Sequence, residues 1–143
     1  MSEWQKLDRG GFVNLVGPIL VGPRIDGVGR FRFTAEPKHS NRREVVHGGM
    51  LMTFADTALG ITARQDDPDR LQATVQLDVH FIDAVWTGEI VEATCRVIRH
   101  TKTLVFMDGH FAVGDRTVAT ARGTWKILKP RAPVTRDGVV AEG

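Results

Sequence analysis

The sequence predicts an α+β fold in which an antiparallel sheet wraps around one long central helix. Three observations predict it. One stretch carries apolar residues at helical spacing, several later segments alternate apolar with polar side chains, and the turns between those segments are too short for parallel crossovers. With 143 residues, 42% of them hydrophobic, the chain can bury one proper core and has little room for a second.

In chain order, residues 1–11 read as an N-terminal segment, residues 12–129 as the domain, and residues 130–143, rich in Pro, Gly and charge, as a flexible tail. Gly17–Gly22 is a candidate short strand, and Gly29–Thr34 alternates Arg30 and Arg32 with Phe31 and Phe33. Between His47 and Arg64, residues Met50, Leu51, Phe54, Ala55, Ala58, Leu59 and Thr62 fall at the i, i+3, i+4, i+7 spacing of a buried helix face. A polar loop around Pro68 follows. Val75, Leu77, Val79 and Phe81 then alternate with Thr74, Gln76, Asp78 and His80, which predicts a half-buried strand. The same period returns at Val91–Val97, at Val105–Phe111 and at Ala119–Ile127. Turns at Trp86-Thr87-Gly88, His100-Thr101-Lys102 and Val113–Arg116 predict antiparallel hairpins between these strands.

Composition removes several function classes. The lone Cys95 excludes an internal disulfide framework, and the polar start MSEWQKLDRG lacks the basic-then-apolar build of a secretory leader. No apolar run approaches the roughly eighteen residues that span a bilayer, so a soluble cytoplasmic protein is expected. The net charge is +2, and the 19 basic residues are scattered among 17 acidic ones, too thin a footprint for nucleic acid. Arg42-Arg43 and the pair Arg99 and Lys102 suit a small anionic ligand better. His39, His80, His100 and His110 show no metal-ligand spacing with one another or with Cys95, so no metal is expected. The chain also has no Gly-rich phosphate loop, no Gly-x-Ser-x-Gly elbow and no cysteine nucleophile pattern.

Within the helical stretch, the only charged side chain between His47 and Arg64 is Asp56, nine residues after a His-Gly-Gly. A carboxylate among apolar residues is costly unless something uses or pairs it, so either catalysis or an ion pair with an Arg of another element is expected. Gly48 and Gly49 open the helix, where backbone N–H groups lack partners and the macrodipole is positive; they form a donor cluster for a polarised carbonyl oxygen. A rise of 1.5 Å per residue puts Asp56 roughly 12 Å along the axis from Gly48. One reacting atom cannot easily meet both in one chain, which suggests a site shared between copies of a symmetric dimer.

Asn41, His47-Gly48-Gly49, Ala55-Asp56-Thr57-Ala58, Thr74–Phe81 and Gly88-Glu89 together resemble the hotdog-fold acyl-CoA thioesterases. The likeness is greatest to the phenylacetate-pathway (PaaI-like) group and the related 4-hydroxybenzoyl-CoA thioesterases, and it covers residues 12 to 128. The resemblance implies hydrolysis of an acyl-CoA to free acid and coenzyme A, with no metal or bound cofactor, in homodimers often paired into tetramers. It assigns Asp56 as the base or nucleophile and Gly48 as the oxyanion donor, with His47 beside that donor. Asn41 would help place the nucleophile, and Thr74 would lie near the reacting centre. The turn carrying Arg99, His100, Thr101, Lys102 and Thr103 would contact the nucleotide part of coenzyme A.

Each residue also has a plainer reading. His47 can be a hydrogen-bonded structural histidine, Ser40-Asn41 an Asx-type loop, and Thr74 a strand residue on the polar face. Gly48 and Gly49 would start a helix in either case. Arg99 and Lys102 can be a solvated hairpin, while Phe81 can belong to the core, an interface or the acyl pocket. Two other functions remain open on the same fold: an acyl-thioester hydratase or dehydratase, and a non-catalytic module that senses acyl-CoA.

Overall fold

A computed structural model describes residues 3–130; the predicted tail falls almost wholly outside the described residues. The elements run β1 (Gln5–Lys6), α1 (Gly11–Val16), β2 (Leu20–Val21), β3 (Gly29–Thr34), a 3-10 turn (Pro37–His39), α2 (Gly48–Ala63), β4 (Gln72–Phe81), β5 (Ile90–His100), β6 (Leu104–Val113) and β7 (Arg116–Ile127). All strands join one antiparallel sheet in the order β1-β2-β3-β5-β6-β7-β4. The candidate strand at Gly17–Gly22 shrinks to the two residues of β2.

The helix α2 forms where the apolar spacing predicts it, and Met50, Leu51, Phe54, Ala55, Ala58, Leu59 and Thr62 are all buried. It packs on one face of the sheet, against β3, β4, β5, β6 and β7. A chain of edge-to-face rings ties the two layers: His39 to Phe33 at 5.3 Å between centroids, Phe33 to Phe54 at 4.7 Å, and Phe54 to Phe111 at 5.8 Å. A fully buried ring such as Phe54 contributes about 3–5 kcal/mol relative to alanine. Close approach of helix to sheet is set by small residues. A Cβ on Gly29 would stand 2.1 Å from the Thr62 hydroxyl, so only glycine lets β3 pass there.

One predicted hairpin is absent. The turn at Trp86-Thr87-Gly88 does not fold β5 back on β4, because β4 pairs only with β7 while β5 sits between β3 and β6. The strand ends at Phe81, so the connection spans residues 82–89 rather than three residues. At about 3.3 Å per residue that segment reaches roughly 26 Å, enough to cross three strand spacings of about 4.8 Å. It is held away from β4 by other partners. Val46 N–H donates to Val85 O and Ala35 N–H to Glu89 O, each at 2.8 Å, and Arg116 donates to Ala84 O at 2.7 Å and pairs with Glu89 and Asp83.

The placement of β4 at the sheet's end also changes its burial. Leu77 and Val79 are half-buried, but Val75 and Phe81 are 59% and 53% exposed in the single chain. One edge of β4 has no strand beside it.

Candidate active site

At the start of α2, His47 has extended backbone, and its Nδ1 accepts the Gly49 N–H at 2.8 Å. The ring nitrogen thus caps the helix, and that bond assigns the proton of the neutral imidazole to Nε2. The predicted pair of open donors is thereby reduced. Met50 N–H reaches His47 O at 2.9 Å, so Gly48 N–H is the donor left without an acceptor among the described residues. Phe81 comes close to it: a Cβ on Gly48 would stand 3.3 Å from the tip of that ring. Gly48, Leu51, Val46, Val85, Ile82 and Phe81 share one open, largely apolar pocket of about 390 Å³.

Asp56 lies on the outward flank of α2, half-buried rather than enclosed, so the single chain does not impose the full desolvation cost the sequence suggests. Thr74 Oγ1 donates to Asp56 Oδ1 at 2.7 Å. The second carboxylate oxygen has no partner among the described residues.

Simple alternation puts Thr74 on the polar face, away from the helix. The structure places it on the helix side, because β4 carries a bulge: Thr74 is opposite Trp125, Gln76 is opposite Thr124, and Val75 is left over between them. Past the bulge, Leu77, Val79 and Phe81 stand opposite Gly123, Ala121 and Ala119, on the same side as Trp125. One extra residue lets Gln72 and Thr74 face α2 together with the apolar half of the strand. Gln72 Nε2 donates to Gly60 O at 2.7 Å, in the same pocket of about 180 Å³ as Asp56.

Sequence reasoning missed other members of this pocket: Arg9, Arg64, Gln72 and Trp125. Gln72 was within reach of a period-two argument from Thr74, and Arg64 of the i, i+4, i+8 run Asp56, Gly60, Arg64. Arg9 gave no local signal. Burial, followed by the charges of Arg9 and Arg70, pulls the Arg64 guanidinium below its ordinary value.

The remaining predicted residues lie apart from Asp56. Asn41 Oδ1 accepts the N–H groups of Arg43 and Val45 at 2.8 and 3.3 Å, closing the loop before α2 in the Asx manner. Thr101 closes the β5–β6 hairpin by accepting Leu104 N–H at 3.0 Å, while Arg99, His100, Lys102 and Thr103 are exposed. His100, Val105, Trp125 and Thr74 occupy one row across β5, β6, β7 and β4, so this turn sits at the Thr74 end of the sheet, roughly 14 Å across it. Among the described residues, no three His, Cys, Asp or Glu side chains gather as ligands for a metal ion. No helix among them is long and apolar enough to cross a membrane.

A family profile described as the thioesterase superfamily matches residues 44–120, which include His47, Gly48, Asp56, Thr74 and Phe81. Over 93 residues the chain is 31% identical to PA0474 of Pseudomonas aeruginosa, provisionally named an esterase, covering 64% of this chain and 69% of that protein. The chain spans about half to two thirds of the length of the curated relatives it matches. Among solved structures, the conserved protein PA5202 of Pseudomonas aeruginosa superposes with a TM-score of 0.77 at 28% identity, over 83% of this chain and 94% of that one. The E. coli PaaI protein of the phenylacetic acid degradation operon gives 0.73 at 21% identity, over 82% and 83%. A Streptococcus pneumoniae TIGR4 protein, described as a hypothetical thioesterase with coenzyme A, gives 0.71 at 18%, over 80% and 88%. The last two identities speak for the fold alone.

Proposed function

The chain belongs to the thioesterase superfamily and is a thioester hydrolase of hotdog fold, and on that premise we propose that it is PaaI-like and cleaves an acyl-CoA in a site built by two copies of itself. The observation that carries this reading is a division of labour. Gly48 N–H and the Asp56–Thr74 pair open into different pockets of one chain, roughly 12 Å apart along α2. Two helices packed antiparallel about a twofold axis bring Gly48 of one copy to Asp56 of the other, twice over. The open edge of β4 supports such a seam. The neighbour described with coenzyme A supports the substrate class.

The chemistry then follows from the chain's own groups, without metal or bound cofactor. Gly48 N–H, at the positive end of α2, donates to the thioester carbonyl oxygen and stabilises the charge that develops there. Thr74 occupies Asp56 Oδ1 and leaves Oδ2 for the reaction. By one route Oδ2 attacks the carbonyl carbon, the C–S bond breaks and the thiolate leaves, and water then hydrolyses the anhydride. By the other, Oδ2 takes a proton from a water that attacks directly. Both consume one water and give acid and thiol. Exposed Arg99 and Lys102 suit the nucleotide phosphates, where they act on binding rather than on the scissile bond.

Thiol release from acyl-CoAs tests the reading. Asp56→Asn should lower kcat by about 10² to 10⁴, with the melting point unchanged or higher. Gly48→Pro removes the N–H at a helix position that tolerates proline, and the exposed Phe81 ring can yield to it. Neither variant should work alone, but each mixed dimer restores one intact site of its two. A statistical mixture should therefore recover about a quarter of the wild-type rate. Well-formed mixed dimers without activity would refute the shared site.

A further inference from the structure

The pocket around Asp56 holds more positive charge than the hydrolysis of a neutral acyl group requires. Arg9 and Arg64 both line it, and neither forms an ion pair among the described residues. Arg64 follows Asp56 by two helical turns; its Nε donates to Arg70 O at 3.1 Å, which anchors the stem and leaves the terminal nitrogens free. Capping the C-terminal end of α2 accounts for one such cation. It does not account for Arg9.

The loop before α1 is built so as to present Arg9 unpaired. Asp8, the acid next to it, is held elsewhere: its Oδ1 accepts Asn14 Nδ2 at 2.7 Å and Gly10 N–H at 3.3 Å. Arg9 N–H in turn donates to Asn14 Oδ1 at 3.0 Å. Two guanidiniums facing one small cavity outnumber its single carboxylate, Asp56, and the lowered proton affinity of Arg64 comes first from burial and then from the Arg9 charge. Guanidiniums are suited to a carboxylate, which they can hold by parallel hydrogen bonds.

We propose that Arg9 and Arg64 receive a carboxylate at the far end of a short acyl chain, so that the preferred substrates are coenzyme A thioesters of dicarboxylic acids. This rests on the acyl-CoA thioesterase reading above and names its substrate class. The source of the anion follows from distance. The arginines share a cavity with Asp56, which works on the thioester carbonyl, whereas the nearest phosphate of coenzyme A lies a whole pantetheine arm from that carbonyl. Within one chain this cavity measures about 180 Å³, room for a few methylenes and a carboxylate.

The test compares kcat/KM for glutaryl-CoA and butyryl-CoA, and for the two corresponding pantetheine thioesters, which lack the nucleotide. Wild type should favour glutaryl over butyryl by about tenfold or more in both series. Arg64→Gln should bring that ratio close to one, Arg64→Lys should keep part of it, and the more exposed Arg9→Gln should lower it less. A wild-type ratio near or below one overturns the inference. So do losses confined to the coenzyme A series, which would make the arginines phosphate contacts, and equal losses on glutaryl and butyryl, which would make them counter-ions of Asp56. If wild type releases thiol from none of the four, the thioesterase reading fails separately. Calorimetry with free glutarate against butyrate then decides: glutarate binding that Arg64→Gln weakens about tenfold upholds the anion site, and no binding overturns it.

Discussion

The hydroxyl of Thr74 does two things for Asp56: it fixes the carboxylate plane and it takes one oxygen out of competition. Hydrogen bonds to a charged group contribute about 1.5–3 kcal/mol, which translates to roughly a ten- to hundredfold change in rate if the bond matters most in the transition state. Thr74→Val, which keeps the shape, should lower kcat by that factor with little change in KM, and Thr74→Ser should retain most of the rate in steady-state thiol release. This residue also marks where the sequence stops being informative. The positions of Gly48 at the start of α2 and of Asp56 along it could be read from spacing, because helix periodicity and end chemistry are local, whereas the cap formed by the His47 ring was not foreseen. The Asp56–Thr74 contact could not, since the leftover Val75 breaks a period that looks continuous in the letters. Arg9 reaches the site through tertiary packing alone.

At the scale of elements, α2 was legible almost to the residue, and the order of strands β2 to β7 along the chain was legible too, whereas β1 and the short α1 were not foreseen. Their neighbours were not. A short turn implies a hairpin only if both strands run up to it, and β4 stops at Phe81. Deleting Val75 should join Thr74 opposite Trp125 directly to Gln76 opposite Thr124 in an unbroken ladder, keep Gln72 and Thr74 facing α2, and lower kcat less than Thr74→Val does in steady-state thiol release. The crossing segment 82–89 has its own electrostatic signature. The Trp86 N–H, and then Arg116, hold the Glu89 carboxyl below its ordinary value. A lowered carboxyl stabilises the fold above the ordinary carboxylate range, and that contribution is lost as pH falls through the lowered value. Melting curves below about pH 4.5 should therefore show wild type losing stability more steeply than Glu89→Gln, with the two profiles parallel above about pH 6.

For the whole molecule, the sheet closes its core against α2 on one face, yet ends in a strand whose outer edge and two large apolar side chains, Val75 and Phe81, meet solvent in the single chain. Such an edge invites pairing. The core was foreseeable from composition and pattern, because burying aromatic and aliphatic side chains between a sheet and a helix is the common solution for a chain of this size. Which edge would be left open depends on strand order, which letters do not carry. Because Gly48 and Asp56 open into different pockets, the two halves of the proposed reaction centre meet only when two molecules do. Rate per milligram, a constant for an enzyme complete in one chain, becomes here a function of enzyme concentration. Serial dilution should leave specific activity level until dimers begin to dissociate and then send it down in proportion to the protein concentration, the total rate falling with its square, recoverable on reconcentration. The cell would thus set the onset of this hydrolysis by how much of the protein it makes, with no effector required.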